Sequence, residues 1–522
     1  MFARRFPTAV TVSVAGLAWV MVFASPSHAQ DPTSTPVTQP EDAAASAGDA
    51  VRQAERQLRQ AKPSKPRDFE ALPGAEKVKL TWRKPSRGGK VQYEERHRLK
   101  SKSKWSKIKT TGSRSMTFKG LKKGKYQFQV RARNANGTGK WAKLATQSYV
   151  ATLPIVSIVT DKRKPIVSKD VYLDASMKIK PNGTKVKSYK GDLEIRGRGN
   201  SSWTLPRKPY KLKLEDKSKL LGMPKSKHWA LLANWADPSQ LRNSAAMFLG
   251  EQTTLAWTPK MRHVEVQVNG EYMGLYQLAE TVRIEDNRVD ITEMSPSDTG
   301  PVDITGGYLL EQDGRRVENQ EFGFLSSLGQ DIVVKNPEPD AKDGISEADL
   351  APQLSYISNY VDAFEASLPS GYAQYIDTRS FIDWFLVQEL VRNPDSTFSS
   401  NFFYKPRSGL LFAGPLWDFD HAIGRQEVER SPAGWKLREQ SPWYSQLFTD
   451  PTFASQTRQA WAEELPGFRG VETFLNKTNA EIKKARKSNT QRWPKNKPTE
   501  IDKLKFITQW LNERTEWMGA NL

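Results

Sequence analysis

Apolar and polar positions follow several distinct rhythms along this 522-residue chain, and each predicts a different element. Ala9 to Ala24 is predominantly apolar and stands behind Arg4 and Arg5, and Ser27-His28-Ala29 closes the stretch on a small residue. That order of basic, apolar and small residues predicts a cleaved export signal over 1–29. Its 16-residue apolar run is short for a spanning helix, which needs about 20. Residues 30–64 are rich in Ala, Pro, Ser, Gln and Asp and read as a disordered linker. Within it, Asp49–Lys62 is suited to a short polar helix without a broad apolar stripe. From 65 to 152 the period becomes two, in Val78–Trp82 and again in Tyr126–Ala132. Gly, Pro, Ser and Asn punctuate these runs at short intervals, which predicts a two-sheet all-β sandwich of immunoglobulin-like type.

Beyond Leu153 strands and helices mix. Asp192–Arg196, Pro209–Leu214 and Gly307–Glu311 read as strands. Val264–Val268 and Tyr272–Leu278 flank Asn269-Gly270, the signature of a hairpin turn. Leu241–Leu249, Phe381–Val391 and Ile501–Met518 carry a helical period. Strands followed mainly by helices predict an α+β domain over 153–522, in the order of a two-lobed kinase.

The alternating segment carries Leu80-Thr81-Trp82, Tyr93, Trp105, Leu121, Gly124-Lys125-Tyr126, Val130–Asn134, Gly137 and Trp141. On these residues it resembles a fibronectin type III domain. The resemblance implies that Trp82 and Tyr126 are core residues, with Tyr126 at the tyrosine corner. It says little about function, because such modules serve as spacers and as binders of many kinds.

Composition narrows the chemistry. There is no cysteine, so disulfides, thiolate metal sites and thiol nucleophiles are excluded. Five scattered histidines make a zinc hydrolase a poor fit, whereas oxygen-ligated magnesium, manganese or calcium suits the carboxylates. The formal charge is +21, and residues 65–151 hold 24 Lys/Arg against five Asp/Glu. This basic module is expected to meet an anionic cell-wall polymer or membrane surface. No recognition helix accompanies the charge, so nucleic acid is not the expected partner.

Asp395 and Asp418 stand 23 residues apart with Asn401 between them, and Asp420 follows two residues later. An apolar run from Ser408 to Trp417 is expected to deliver Asp418 as a strand would. Phosphoryl transfer needs one carboxylate to orient or deprotonate the acceptor hydroxyl, and further oxygen ligands for a divalent ion. Asp395 fits the first role, and Asp418, Asn401 and Asp420 the second. Extended backbone at Asp418-Phe419-Asp420 would place both carboxylates on one side. His421 is expected to serve the loop. Arg196-Gly197-Arg198-Gly199 follows a strand, and its glycines would let backbone approach phosphate while Arg196 or Arg198 adds charge. Lys208, Lys211 and Lys213 compete as phosphate holders. Alternation puts Lys211 and Lys213 on one face, and Lys211 is favoured. Asp237 is suited to cap the helix that follows it, and Arg242 to pair with a carboxylate across the cleft. Glu280, at the end of the hairpin, is suited to meet a phosphate-binding lysine or to border an adenine slot.

As a set, Arg196–Trp203, Lys208–Lys213, Leu221-Gly222-Met223, Trp229–Asn234, Leu241-Arg242-Asn243, Val264–Tyr276, Glu280, Gly307–Leu310 and the Asp395/Asn401/Trp417–Asp420 block resemble the CotH kinase family, the spore-coat protein H-like secreted kinases. The resemblance implies an atypical protein-kinase-like fold that uses ATP with magnesium or manganese to phosphorylate Ser or Thr of proteins. By position it makes Asp395 the catalytic carboxylate and Asp418 the metal ligand. Asn393-Pro394 stands where protein kinases carry a His-Arg pair, and Asn401 lies six residues after Asp395, one more than the usual interval. Two alternatives remain open. One is a non-catalytic wall-adhesion protein with a degenerate kinase domain. The other is a metal-dependent nucleotidyl or glycosyl transferase.

Overall fold

The computed structural model describes residues 52–74, 77–119, 121, 124–148, 153–182 and 186–522. The expected signal and most of the linker lie outside these residues. Residues 52–60 form a helix, α1, with every side chain exposed, as its lack of an apolar stripe demands.

The alternating segment forms eight strands: β1 (Arg67–Gly74), β2 (Lys77–Arg83), β3 (Gln92–Leu99), β4 (Lys109–Thr111), β5 (Ser115–Lys119), β6 (Gly124–Asn134), β7 (Gly137–Thr138) and β8 (Ala142–Ser148). One sheet runs β1-β2-β5 and the other β4-β3-β6-β7, with β8 also on β6. Their inner faces bury Val78, Leu80, Trp82, Tyr93, Tyr126, Phe128 and Val130. Trp82 meets Tyr93 edge-on, ring centroids 5.3 Å apart.

A seven-stranded closed barrel follows. It contains β9 (Ile155–Thr160), β10 (Leu173–Lys180), β11 (Tyr189–Gly197), β12 (Tyr210–Ser218), β13 (Ser226–Leu232), β14 (Met261–Val268) and β15 (Glu271–Glu280). The order is β10-β11-β12-β13-β15-β14-β9, and the one parallel pair, β9 with β14, closes the ring. Alternate residues fill the interior, among them Leu193, Ile195, Leu212, Leu214, Trp229, Leu231, Val264 and Val266. The one-turn helix α2 (Ser201–Thr204) follows β11, and α3 (Arg242–Gly250) follows β13.

A second, five-stranded sheet has the order β17-β18-β16-β19-β20, from β16 (Tyr308–Gln312), β17 (Gly323–Leu325), β18 (Asp331–Asn336), β19 (Asn401–Lys405) and β20 (Phe412–Ala413). Helices α4 (Ala351–Ala366), α5 (Thr378–Leu390), α6 (Leu437–Gln440), α7 (Pro442–Leu447), α8 (Pro451–Phe468), α9 (Val471–Arg492) and α10 (Leu504–Asn521) share one large apolar core with it. Among the described residues no helix is long and apolar enough to cross a membrane.

Two expectations change. Only Phe412–Ala413 of the run before Trp417 is strand, because Gly414 takes φ +112° and Pro415 has no N–H for a ladder. The last helix begins at Leu504 rather than Ile501, since Thr499 and Asp502 cap each other around a short 3-10 turn first.

Candidate functional site

Helix α5 is capped by Asp377, which accepts the Ser380 N–H at 2.8 Å, and its residues from Ser380 onward are buried. It delivers Asp395. Just after it, Asn393 Oδ1 accepts the Asp395 N–H (3.2 Å), and its Nδ2 donates to Gln388 Oε1 (3.0 Å). Pro394 opens the 3-10 turn that carries Asp395. An Asx cap with a proline inside it holds this loop without a His-Arg pair.

Asn401 begins β19. Its Nδ2 donates to the carbonyls of Asp395 (3.1 Å) and Ser396 (3.0 Å) and to Gln312 Oε1 (3.3 Å). Carbonyls only accept, so the amide has one orientation. Asn401 Oδ1 is then a buried acceptor with no hydrogen-bond partner.

Asp418 has φ +62°, so Asp418-Phe419-Asp420 is not extended and alternation does not set its geometry. Asp418 is exposed, while the Asp420 side chain is 18% exposed. The carboxylates still lie within one another's fields. Burial, then the charge of Asp418, raises the Asp395 pKa, against the pull of His421, Arg315 and Lys436. Burial also drives Asp420 well above the usual carboxylate range, helped by Asp418, Asp237 and Asp395 and opposed by Arg242. His421 Nε2 stands 3.8 Å from Asp420 Oδ1.

A buried brace fixes this loop. Asn243 Oδ1 accepts the Phe419 N–H at 2.7 Å. Arg242 donates to the carbonyls of Ala422 (2.8 Å) and Ile501 (2.7 Å) and pairs with Asp237 (2.7 Å) and Asp502 (3.2 Å). Asp237 Oδ2 also accepts the N–H groups of Leu241 and Arg242, capping α3 from four and five residues ahead. Arg242 is therefore a fully buried strut rather than a charge aimed across a cleft.

The outer face of the barrel supplies the opposite charge. Arg196, Lys211, Ala230 and Ala279 stand in one row across β11, β12, β13 and β15. Lys211 is half-buried, and its pKa falls to about 8 through burial and the charges of Arg196, Arg283 and Arg198, with Glu338 opposing. Neighbouring His228 is pushed down to about 3 by burial, Arg283 and Lys211. Arg198 lies over the Trp417 ring at 5.4 Å, where it meets the fields of Asp418 and Glu311. At the end of this row, Ala230 and Ala279, with Leu232, share an apolar cluster with Ile284, Leu309, Phe402 and Trp417, joining the barrel to the second sheet.

Other candidates are engaged elsewhere. Lys208 Nζ donates to the Trp203 carbonyl and sits over that ring at 5.1 Å. Lys213 pairs with Glu194 at 2.9 Å on the surface. Gly197 lies under Trp203, whose ring is 2.5 Å from where a Cβ would stand, so this glycine serves packing. Gly199 has φ +84° and makes the turn. Arg196 donates to the Lys169 carbonyl and lies 5.0 Å over Tyr172 while remaining beside Lys211. Glu280 points to the side opposite Ala279 and accepts the Lys260 N–H at 2.9 Å, so the acid beside Lys211 is Glu338. Arg283, Glu338, Glu311 and Lys335 escaped sequence reasoning. Lys335 stands 3.7 Å from Glu311, which burial lifts to about 7. They come from two irregular segments, after β15 and after β18, and from β16 and β18 themselves, where no motif marks them.

Among the described residues no three His, Cys, Asp or Glu side chains are grouped to hold a metal ion by themselves. Magnesium characteristically takes one or two carboxylates and completes its shell with water and phosphate oxygens. Asp418, Asp420 and the unpartnered Asn401 Oδ1 offer such an incomplete oxygen set, and mutual repulsion of the carboxylates favours a cation there. The residues fit the group.

A family model described as CotH kinase protein matches residues 195–518, more than half of the chain. A second, described as fibronectin type III domain, matches 64–148. No curated protein matches. Several solved structures are similar to 17% of this chain. Titin domains share 25% identity over 17% of this chain and 32% of theirs, TM-score 0.16. Domains d3-d4 of the rat CD45 extracellular region share 15% over 17% and 51%, TM-score 0.16. The FN5 domain of Drosophila Lar shares 19% over 17% and 97%, TM-score 0.15. The chain thus spans about a third to a half of the first two.

Proposed function

The chain belongs to the CotH kinase protein family, with a fibronectin type III domain ahead of the matched region, and from that premise we propose an exported, kinase-like phosphotransferase. It moves the γ-phosphate of ATP to Ser or Thr of an envelope or secreted protein. The barrel serves as the nucleotide-covering lobe, and the second sheet with its helices serves as the other. The observation that carries this reading is the opposition of two unlike clusters. Asp395, Asp418 and Asp420 act on one another, Lys211 feels Arg196, Arg198 and Arg283, and Arg198 in turn feels Asp418, so the two clusters meet there. A triphosphate with a hard cation matches both.

Lys211, Arg198 and Arg283 hold phosphate oxygens, and Arg196 adds its charge from beside Lys211. Asp418, Asn401 Oδ1 and Asp420 hold magnesium or manganese, and calcium has the same ligand preference. The bound ion neutralises charge on the phosphates. Asp395 accepts the hydrogen bond of the acceptor hydroxyl and takes its proton, a role its raised pKa suits. Residues 1–29 are the export signal, and the basic sandwich tethers the enzyme to an anionic surface.

ATP labelled at the α or the γ phosphorus, incubated with the protein, magnesium and casein, tests the reaction. Label is expected to move from the γ position only. Transfer from α alone would replace phosphorylation by nucleotidyl transfer. The absence of any thermal shift with ATP and magnesium, manganese or calcium would support the adhesion reading instead.

Lys211 gives a pH-dependent test. A lysine depressed to about 8 loses its charge as pH rises through that value. Pyrophosphate affinity, followed by calorimetry, is expected to fall several-fold between about pH 7 and pH 9. Lys211→Met should weaken binding at pH 7 by about tenfold and remove this slope. A slope that survives the substitution assigns the titration to another group.

A further inference from the structure

The outer face of the β3/β6 sheet carries a stack that nothing in the transfer reaction uses. Arg98 lies 4.6 Å from the Trp105 ring centroid, and Arg96 4.7 Å from the same ring. Arg96 also lies 4.5 Å from the Trp141 ring, and Arg131 4.4 Å from it. Three guanidiniums and two indoles thus form one ladder. The Nε of each arginine is tied down, Arg98 on Gln127 (2.9 Å), Arg96 on Gln129 (3.0 Å) and Arg131 on Glu94 (2.8 Å). The stack and these bonds fix the guanidinium planes before any ligand arrives, so little side-chain entropy is lost on binding. Arg133 and Lys143 extend the same face by their register, and Glu94, shared with Arg131 and Arg133, is its one acid.

We propose that this ladder is the docking surface for a linear polymer of phosphodiester-linked polyols, the chemistry of anionic wall polymers. The inference rests on the reading of the sandwich as a tether and names its partner. A file of ordered cations on a flat sheet face matches a flexible chain of regularly spaced monoanions. Each indole already carries two guanidiniums, which compete with a nucleic-acid base or a bilayer for the ring.

Synthetic poly(glycerol phosphate) titrated into the full-length protein tests this, beside anionic vesicles and single-stranded DNA. The wild type is expected to prefer the polymer, with affinity falling steeply as salt rises. Arg96→Gln/Arg98→Gln should weaken binding by about tenfold or more, and Lys84→Gln/Lys119→Gln, which removes equal charge from the other sheet, by less than about twofold. Arg133→Gln/Lys143→Gln trims the face without touching the stack and should give an intermediate loss, which guards against misfolding as the cause. Equal losses in the first two pairs overturn the ladder but leave a tether by bulk charge. No wild-type binding to any of the three probes overturns both. Tighter binding to vesicles or DNA overturns the proposed partner.

Discussion

Asp395→Asn should lower γ-phosphate transfer by about a thousandfold, within the range that a positioned proton acceptor contributes. The fold should survive, and the protein without metal should become more stable. Asp395 is pushed up by burial and by Asp418, so its charged form is the strained one. The linkage has a definite sign. A carboxylate raised in the folded state contributes stability that is complete below its unfolded pKa, about 4, and lost as pH rises through the folded value. Asp420 acts in the same sense. The metal-free wild type should therefore lose melting temperature on passing from pH 4 toward neutrality, and Asp395→Asn should lose less. Added magnesium should restore the wild type more than the variant. Calorimetric melts at both pH values, alongside transfer assays with labelled ATP, read all of this. Wild-type activity in Asp395→Asn would remove the residue from the chemistry.

Arg242→Met is expected to destabilise the protein by about 3–5 kcal/mol, the usual cost of removing one partner from a buried ion pair. Asp237 would stay buried without its ion-pair partner, Asp502 would keep only the Arg425 ion pair at 3.6 Å, and the carbonyls of Ala422 and Ile501 would lose their donor. Because Ala422 lies just beyond Asp420, the same variant should blunt the thermal shift with magnesium and nucleotide. The midpoint of urea unfolding measures the first effect. Adding Asp237→Asn should recover part of it, since one stranded charge is removed. A loss below about 1 kcal/mol would reduce the triad to an ordinary surface pair.

Much of this was legible in the sequence because it is local. The hairpin on Asn269-Gly270, the sandwich core around Trp82 and Tyr126, and helices α3 and α5 follow from turn chemistry and periodicity. The spacing of Asp395, Asn401 and Asp418 marked three neighbours, since Asn401 Nδ2 donates to the Asp395 carbonyl and the charge of Asp418 acts on Asp395. What escaped is what distant segments settle together. Alternation selects Lys211 and Lys213 equally, and only the neighbouring Glu194 takes Lys213 out of contention. Alternation predicts extended backbone at Asp418-Phe419-Asp420, but Asp418 takes a left-handed φ in a loop that Arg242 and Asn243 hold from another part of the chain. Arg283 and Glu338 reach Lys211 from segments without a repeat, so no pattern announces them.

Closure of the barrel has a practical consequence for anyone dissecting the molecule. The region matched by the kinase family begins at residue 195, whereas the ring is sealed by β9, which starts at Ile155. A fragment cut to the family boundary would lack β9, β10 and most of β11. It would leave the unpaired backbone of β14 and β12 open to solvent and to other molecules. Such raw edges recruit neighbouring chains into aggregates. The smallest fragment that keeps the barrel closed therefore starts ahead of Ile155.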